Sequence, residues 1–202
     1  MSTTPVITPV SRLTVPPIDE LDSQVLRTHF RQQEQTEGHT SNWFRALSLN
    51  AGDLERLLGY LGPLLAPDGG SARLPLRERE VIATVVSGDN RCAYCHTNHA
   101  NKLGRVLGDH SVAHRVAIDH RHVDELTPRE RALGDLAVAV NRDPQSITDE
   151  TYETLRSVHG LDDHEILEAL SVAAFIGATN RLGVALAVPP NPEYTGTPEA
   201  TR

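Results

Sequence analysis

Helix punctuation constrains this chain more than any other feature. "TPRERALGDLAVAV" opens with Thr127, places Pro128 at the first helical position, where its missing N–H costs nothing, and closes a capping box with Glu130. "LDDHEILEALSVAAFIGATNRLGVALAV" repeats the device with Asp162 and Glu165. In "LSLNAGDLERLLGYLGPLL", Asn50 is a cap, Asp53 lies in the first turn, and Leu54, Leu57, Leu58 and Leu61 recur at helical spacing. "ITDETYETLRSVHG" reads as a shorter helix after Thr148, stopped by Gly160. Helix follows helix with short joints, so the expected class is all-α. One segment pulls the other way. "EVIATVV", residues 80–86, is β-branched enough for a strand. The proline and helix formers of "PLRERE" precede it and no partner strand is on offer, so it too is expected to be helical.

The termini differ from the middle. Prolines crowd "TTPVITPVSRLTVPPID" at the start, and four fall in "VPPNPEYTGTPEATR" at the end. The expected organisation is one domain: an arm over 1–40 with a short helix near Leu21 to Arg31, a helical body over 41–188 anchored by Trp43 and Phe44, and a tail over 189–202. A formal charge of −8 and an aromatic fraction of 4% leave neither a basic face nor a stacking platform for nucleic acid. The apolar run from Ile166 to Val188 is interrupted by Glu168, Asn180 and Arg181, which favours a buried helix over a membrane span. Asn180 and Arg181 are expected at interface or capping contacts. Met1 is followed by Ser, Thr and Pro, not by a basic and then apolar run, so the chain is expected to be cytoplasmic.

Chemistry concentrates in "RCAYCHTNHA", residues 91–100, which holds both cysteines. Ser87 to Asn90 read as a break, with Asp89 or Asn90 capping a helix through Leu107 and Cys92 in its first turn, where the dipole favours a thiolate. On a wheel of about 100° per residue, taking Cys92 as zero, Cys95 falls near −60°, His99 near −20° and His96 near +40°. The sulfurs and the His99 ring share one stripe, which Leu103 and Val106 continue toward the core. A thiolate attacked by peroxide becomes a sulfenic acid, and a second thiol nearby condenses with it to a disulfide. His99 is the natural proton acceptor, and such a base needs a carboxylate to orient it. Glu78 and Glu80 on the preceding helix both offer one. Glu80 is slightly favoured, because Ala83, Thr84 and Ser87 on its face admit a close helix. Glu78, with Arg77 and Arg79, reads as surface charge pairing.

The pattern Glu80-x11-Cys92-x2-Cys95-x3-His99 resembles the signature of the AhpD-like (alkylhydroperoxidase D) branch of the carboxymuconolactone decarboxylase superfamily, peroxidase-related subgroup. The likeness covers roughly residues 42 to 188 and includes "LPLREREVIATVVSGDNRCAYCHTNHA" and the two helices after it. The resemblance implies an AhpD-like helical fold and a homo-oligomer, trimer or hexamer. It further implies an antioxidant peroxidase that reduces hydroperoxides with no bound cofactor or metal, its redox disulfide recycled by an external dithiol such as a lipoylated protein. It assigns Cys95 as peroxidatic, Cys92 as resolving, and Glu80 with His99 as the proton relay. The founding pattern has a histidine just before the second cysteine. Tyr94 stands there in this chain and His96 follows Cys95, so both are auxiliary candidates.

Two other readings compete. Cys92, Cys95 and His99 could take three of four zinc positions, with His110, His114, His120 or His122 as the fourth, in a metal-binding regulatory module. A decarboxylase-like or lactone-handling enzyme would follow from superfamily kinship and would not need the cysteines. The histidines of "HSVAHRVAIDHRH" are otherwise expected on a solvated helix face and loop.

Overall fold

The computed structural model describes residues 9–66 and 72–195. Residues 1–8 of the arm, the 67–71 connection and 196–202 of the tail lie outside the described residues. The rest is helical, with short 3-10 turns and no strand among the described residues: α1 Gln24–Glu37, α2 Asn42–Leu47, α3 Ala51–Leu65, α4 Leu76–Asp89, α5 Ala93–Leu107, α6 His110–Asp119, α7 Pro128–Arg142, α8 Asp149–Ser157 and α9 Asp163–Ala185. No helix among them is long and apolar enough to cross a membrane.

The segment with strand propensity is the central rod. Every residue of α4 from Glu78 to Ser87 is buried. Ile82, Ala83 and Val86 pack with Leu133 and Leu136 of α7 and with Val172 and Ile176 of α9. Val81 and Val85 pack with Leu103 of α5 and Val112 and Val116 of α6. A helix walled in on all sides gains from branched side chains more packing than their modest helix penalty costs. The third stripe is polar: Glu80, Thr84 and Ser87, at spacings of four and three, share one face.

The capping signals hold. Complete capping boxes open α7 at Thr127 and Glu130 and α9 at Asp162 and Glu165. Asn50 accepts from the Asp53 amide at α3, and Thr148 caps α8. Trp43 is buried in α2 with the cysteines around it. α1 runs on to Glu37, past the expected end near Arg31, until Gly38 adopts a left-handed φ of 76°. Its polar outer face is made of good helix formers, and its inner face buries Leu26 and Phe30 against Leu54 of α3.

Three local expectations fail. The break before the cysteines falls later: α4 continues to Asp89, Asn90 ends it, Arg91 turns at φ 52°, and Cys92 is itself the N-cap of α5. Asp89 and Asn90 are instead held by Asn141 of α7, at 2.6 and 3.0 Å. Arg79 and Glu78 are not surface groups. Arg79 is 1% exposed and donates to the carbonyls of Leu74, Leu64 and Ala66, capping the C-terminal end of α3, and Glu78 accepts from Arg129 at 2.8 and 3.1 Å. Val106 is not a core residue but 39% exposed, although Leu103 is fully buried.

Candidate active site

The site sits where α5 begins, against α4, α2 and α9. Cys92 reaches its place through the left-handed turn at Arg91, and its Sγ accepts the amide of Cys95 at 3.3 Å, the cap bond usually made by an oxygen. The two cysteines are joined as a disulfide with Cα atoms 5.3 Å apart. Gly183 of α9 makes room for them: a Cβ there would come within 3.0 Å of Cys92 Sγ and 3.4 Å of both Cys95 Sγ and Trp43 Cδ1. The disulfide therefore lies on bare helix backbone.

One turn along α5, His99 Nδ1 meets Glu80 Oε2 at 2.8 Å. Both are buried, Glu80 completely. Burial pushes the Glu80 carboxyl upward, but the adjacent His99 more than reverses this and holds it below its ordinary value, with Lys102 and Arg79 adding to the same direction. A carboxylate accepting from Nδ1–H fixes the tautomer, leaving Nε2 as the basic nitrogen. Glu80 Oε1 and Thr84 Oγ1, one turn apart on α4, are buried without a hydrogen-bond partner. Farther along the same stripe Asn180 of α9, fully buried, donates to Ser87 Oγ at 3.3 Å, and Arg181 reaches the Asn141 carbonyl at 3.4 Å.

A cavity of about 700 Å³ opens onto this group. Cys95, His99 and Glu80 line it; Cys92 does not. Tyr94 lines it too, its hydroxyl 2.7 Å from Ser41 Oγ at the start of α2, and burial pushes that phenol up despite the hydrogen bonds it makes. His96 lies outside the cavity, 3.3 Å from His114, its imidazole pushed down by burial and by that neighbour. His120 is buried against Asp135 at 3.0 Å, contrary to the expected solvated face, while His122 pairs with Asp119 at 2.7 Å. Among the described residues no three or more His, Cys, Asp or Glu side chains gather as a metal site.

Sequence reasoning missed Gly183, Ser41 and Tyr194, the last lining the cavity from the tail. A glycine inside an apolar helix was the legible hint for the first. The serine and the tyrosine carried no signal, because their role depends on chain returning from far away.

The chain superposes on an alkylhydroperoxidase AhpD core structure, an uncharacterized peroxidase-related protein from Ralstonia eutropha JMP134, with a TM-score of 0.85 and 29% identity, over 93% of this chain and 96% of that one. The fold of this chain is AhpD-like. An uncharacterized peroxidase-related protein from Silicibacter sp. TM1040 gives the same TM-score at 28% identity, over 96% of this chain and 99% of that one. The debrominase Bmp8 in its apo form shares the fold at a TM-score of 0.71 and 20% identity, over 95% and 96% of the two chains. No protein-family model and no curated protein matches the sequence. Within this AhpD-like frame Cys95, His99 and Glu80 share the lining of one cavity, with Cys92 bonded to Cys95 outside that lining.

Proposed function

We propose that the chain is a thiol-dependent peroxidase that reduces hydroperoxides through a Cys92/Cys95 dithiol–disulfide cycle. The reading is supported above all by the asymmetry of the pair: Cys95 lines the cavity with His99 and Glu80, and Cys92 does not. In the reduced protein His99 Nε2 takes the Cys95 proton while Glu80 holds the imidazole. The Cys95 thiolate attacks the outer peroxide oxygen, the O–O bond breaks, and the departing alkoxide takes that proton back to leave as an alcohol. Cys95 is now a sulfenic acid. The Cys92 thiol displaces its oxygen as water and forms the disulfide.

Recycling uses an external dithiol, a lipoyl group on a partner protein being the class the family resemblance suggests. Attack at cavity-facing Cys95 expels Cys92, whose thiolate is a good leaving group because it caps α5 and accepts the Cys95 amide. A trimeric or hexameric assembly is carried with this reading, as the resemblance implies.

The test is hydroperoxide consumption by purified protein with dihydrolipoamide, together with peptide mapping after a peroxide titration. Cys95→Ser is expected to abolish turnover. Cys92→Ser is expected to retain one stoichiometric round that leaves sulfenic acid on Cys95. Full turnover by Cys95→Ser would sink the assignment.

A further inference from the structure

The cavity is far larger than the smallest peroxides need. A water-sized molecule occupies about 30 Å³, against about 700 Å³ here. That volume suits a small organic ligand. One end holds Cys95 and His99, and the side walls are apolar: Trp43 and Phe44 of α2, Leu61 and Leu65 of α3, and Ile176 of α9.

The same cavity also carries two exposed basic side chains, Lys102 and Arg105. α5 itself is the ruler, since Cys95, Asn98, His99, Lys102, Arg105 and Val106 all line the cavity at helical spacing. Lys102 lies seven residues beyond Cys95 and Arg105 ten, which places their backbones about 10 and 15 Å along the helix from that of Cys95. Lys102 is the single lysine among the 19 Lys and Arg of a chain with net charge −8. Neither Lys102 nor Arg105 makes an ion pair or hydrogen bond among the described residues, whereas Arg77, Arg79, Arg115, Arg129 and Arg142 all do. Of the acids lining the cavity, Glu80 is engaged by His99, and Glu37 lies 3.8 Å from His39. Apart from the pull of Lys102 on the Glu80 carboxyl, the two basic side chains are thus left for a ligand.

Resting on the peroxidase reading, we infer that the natural substrate is an amphipathic organic hydroperoxide bearing a carboxylate or similar anion. Its anion pairs with Lys102 and Arg105, its hydrocarbon lies along the apolar walls, and its peroxide reaches Cys95, two to three helical turns back along α5. Lys102 and Arg105 are then specificity residues. A purely internal role for Lys102, holding Glu80 ionised, would affect charged and uncharged substrates alike.

The experiment uses the full-length protein with the hydroperoxide of linoleic acid and its methyl ester, alongside Lys102→Met and Lys102→Glu, each also carrying or lacking Arg105→Ala. Native protein is expected to favour the acid over the ester in kcat/KM. The variants are expected to lower that acid-to-ester ratio at least tenfold, with added salt compressing it in the native protein. An unchanged ratio overturns the inference. A binding arm separates its failure from that of the peroxidase reading: decanoate and methyl decanoate compete against a fluorescent fatty acid on the oxidised protein. Charge-selective binding lost in the variants, with no turnover of any hydroperoxide, would remove the peroxidase and keep the anion-reading cavity. Turnover of both substrates without charge-selective binding would do the reverse.

Discussion

At the scale of single residues, Glu80 and Gly183 carry the most weight. Glu80→Gln keeps the shape of the side chain but removes the charge that orients and stabilises the His99 ring. A loss of about 10²-fold or more in kcat/KM is expected, in line with general-base contributions, with the disulfide still able to form. Steady-state kinetics beside a thiol count will check this. At Gly183 any β-branched residue must push the disulfide or Trp43 aside. Gly183→Val is therefore expected to cost about 1–3 kcal/mol in denaturant unfolding and to slow disulfide formation after peroxide. The grouping of neighbours in sequence was readable at this scale, since Cys92, Cys95 and His99 lie at the start and along one helix whose period is known. Glu80 was separated from Glu78 only by the small residues on its face, and the structure places the two acids on different partners: one on His99, the other on Arg129.

At the scale of elements, helix starts were legible because a cap acts within four residues. Thr127, Asp162, Asn50 and Thr148 all stand where their spacing put them. The start of α5 was misplaced because a sulfur does what Asp89 or Asn90 was expected to do, while both are held by Asn141 of α7 and Asp89 also by Arg142. Arg79 was misjudged for a related reason. In "LREREV" nothing local tells a solvated arginine from one folded under the end of another helix. Its guanidinium joins α3 to α4 through backbone carbonyls. Arg79→Leu should leave these acceptors unpaired in a dry setting and cost about 2–4 kcal/mol in chemical denaturation, with α3 losing amide-exchange protection before α7 does. A loss below about 0.5 kcal/mol, the scale of an ordinary surface substitution, would contradict this account of the joint.

At the scale of the whole molecule, the all-α fold followed from pattern alone, but the enclosure of the site did not. The cavity is completed by α1, α2 and the tail, whose contacts join residues about 150 apart: Asn191 accepts the Asn42 amide at 2.8 Å and donates to the Thr40 carbonyl at 2.9 Å. Low pH should loosen this body. Burial pushes the carboxyls of Glu80, Glu130 and Asp135 upward, yet His99, Arg77 and the His120–Arg121 pair respectively outweigh it, so each is held below its ordinary value of 4.5, 4.5 and 3.8. A group depressed on folding contributes stability that is complete above its unfolded value and disappears as pH falls through the folded one. The melting temperature is thus expected to be level near neutrality and to drop once pH passes below about 4.5. Glu80→Gln should flatten part of that drop, and a Tm profile from calorimetry that stays level to about pH 3 would refute the linkage.

The chain contains one tryptophan, and its indole and the two sulfurs converge on the space where a side chain at Gly183 would begin. A disulfide quenches a nearby excited indole by accepting an electron into its S–S antibonding orbital, and a thiol pair is a much poorer acceptor. Emission from Trp43 should therefore brighten when the bond is opened and dim when it closes, so that each half of the proposed cycle can be followed in real time by light, with no label attached.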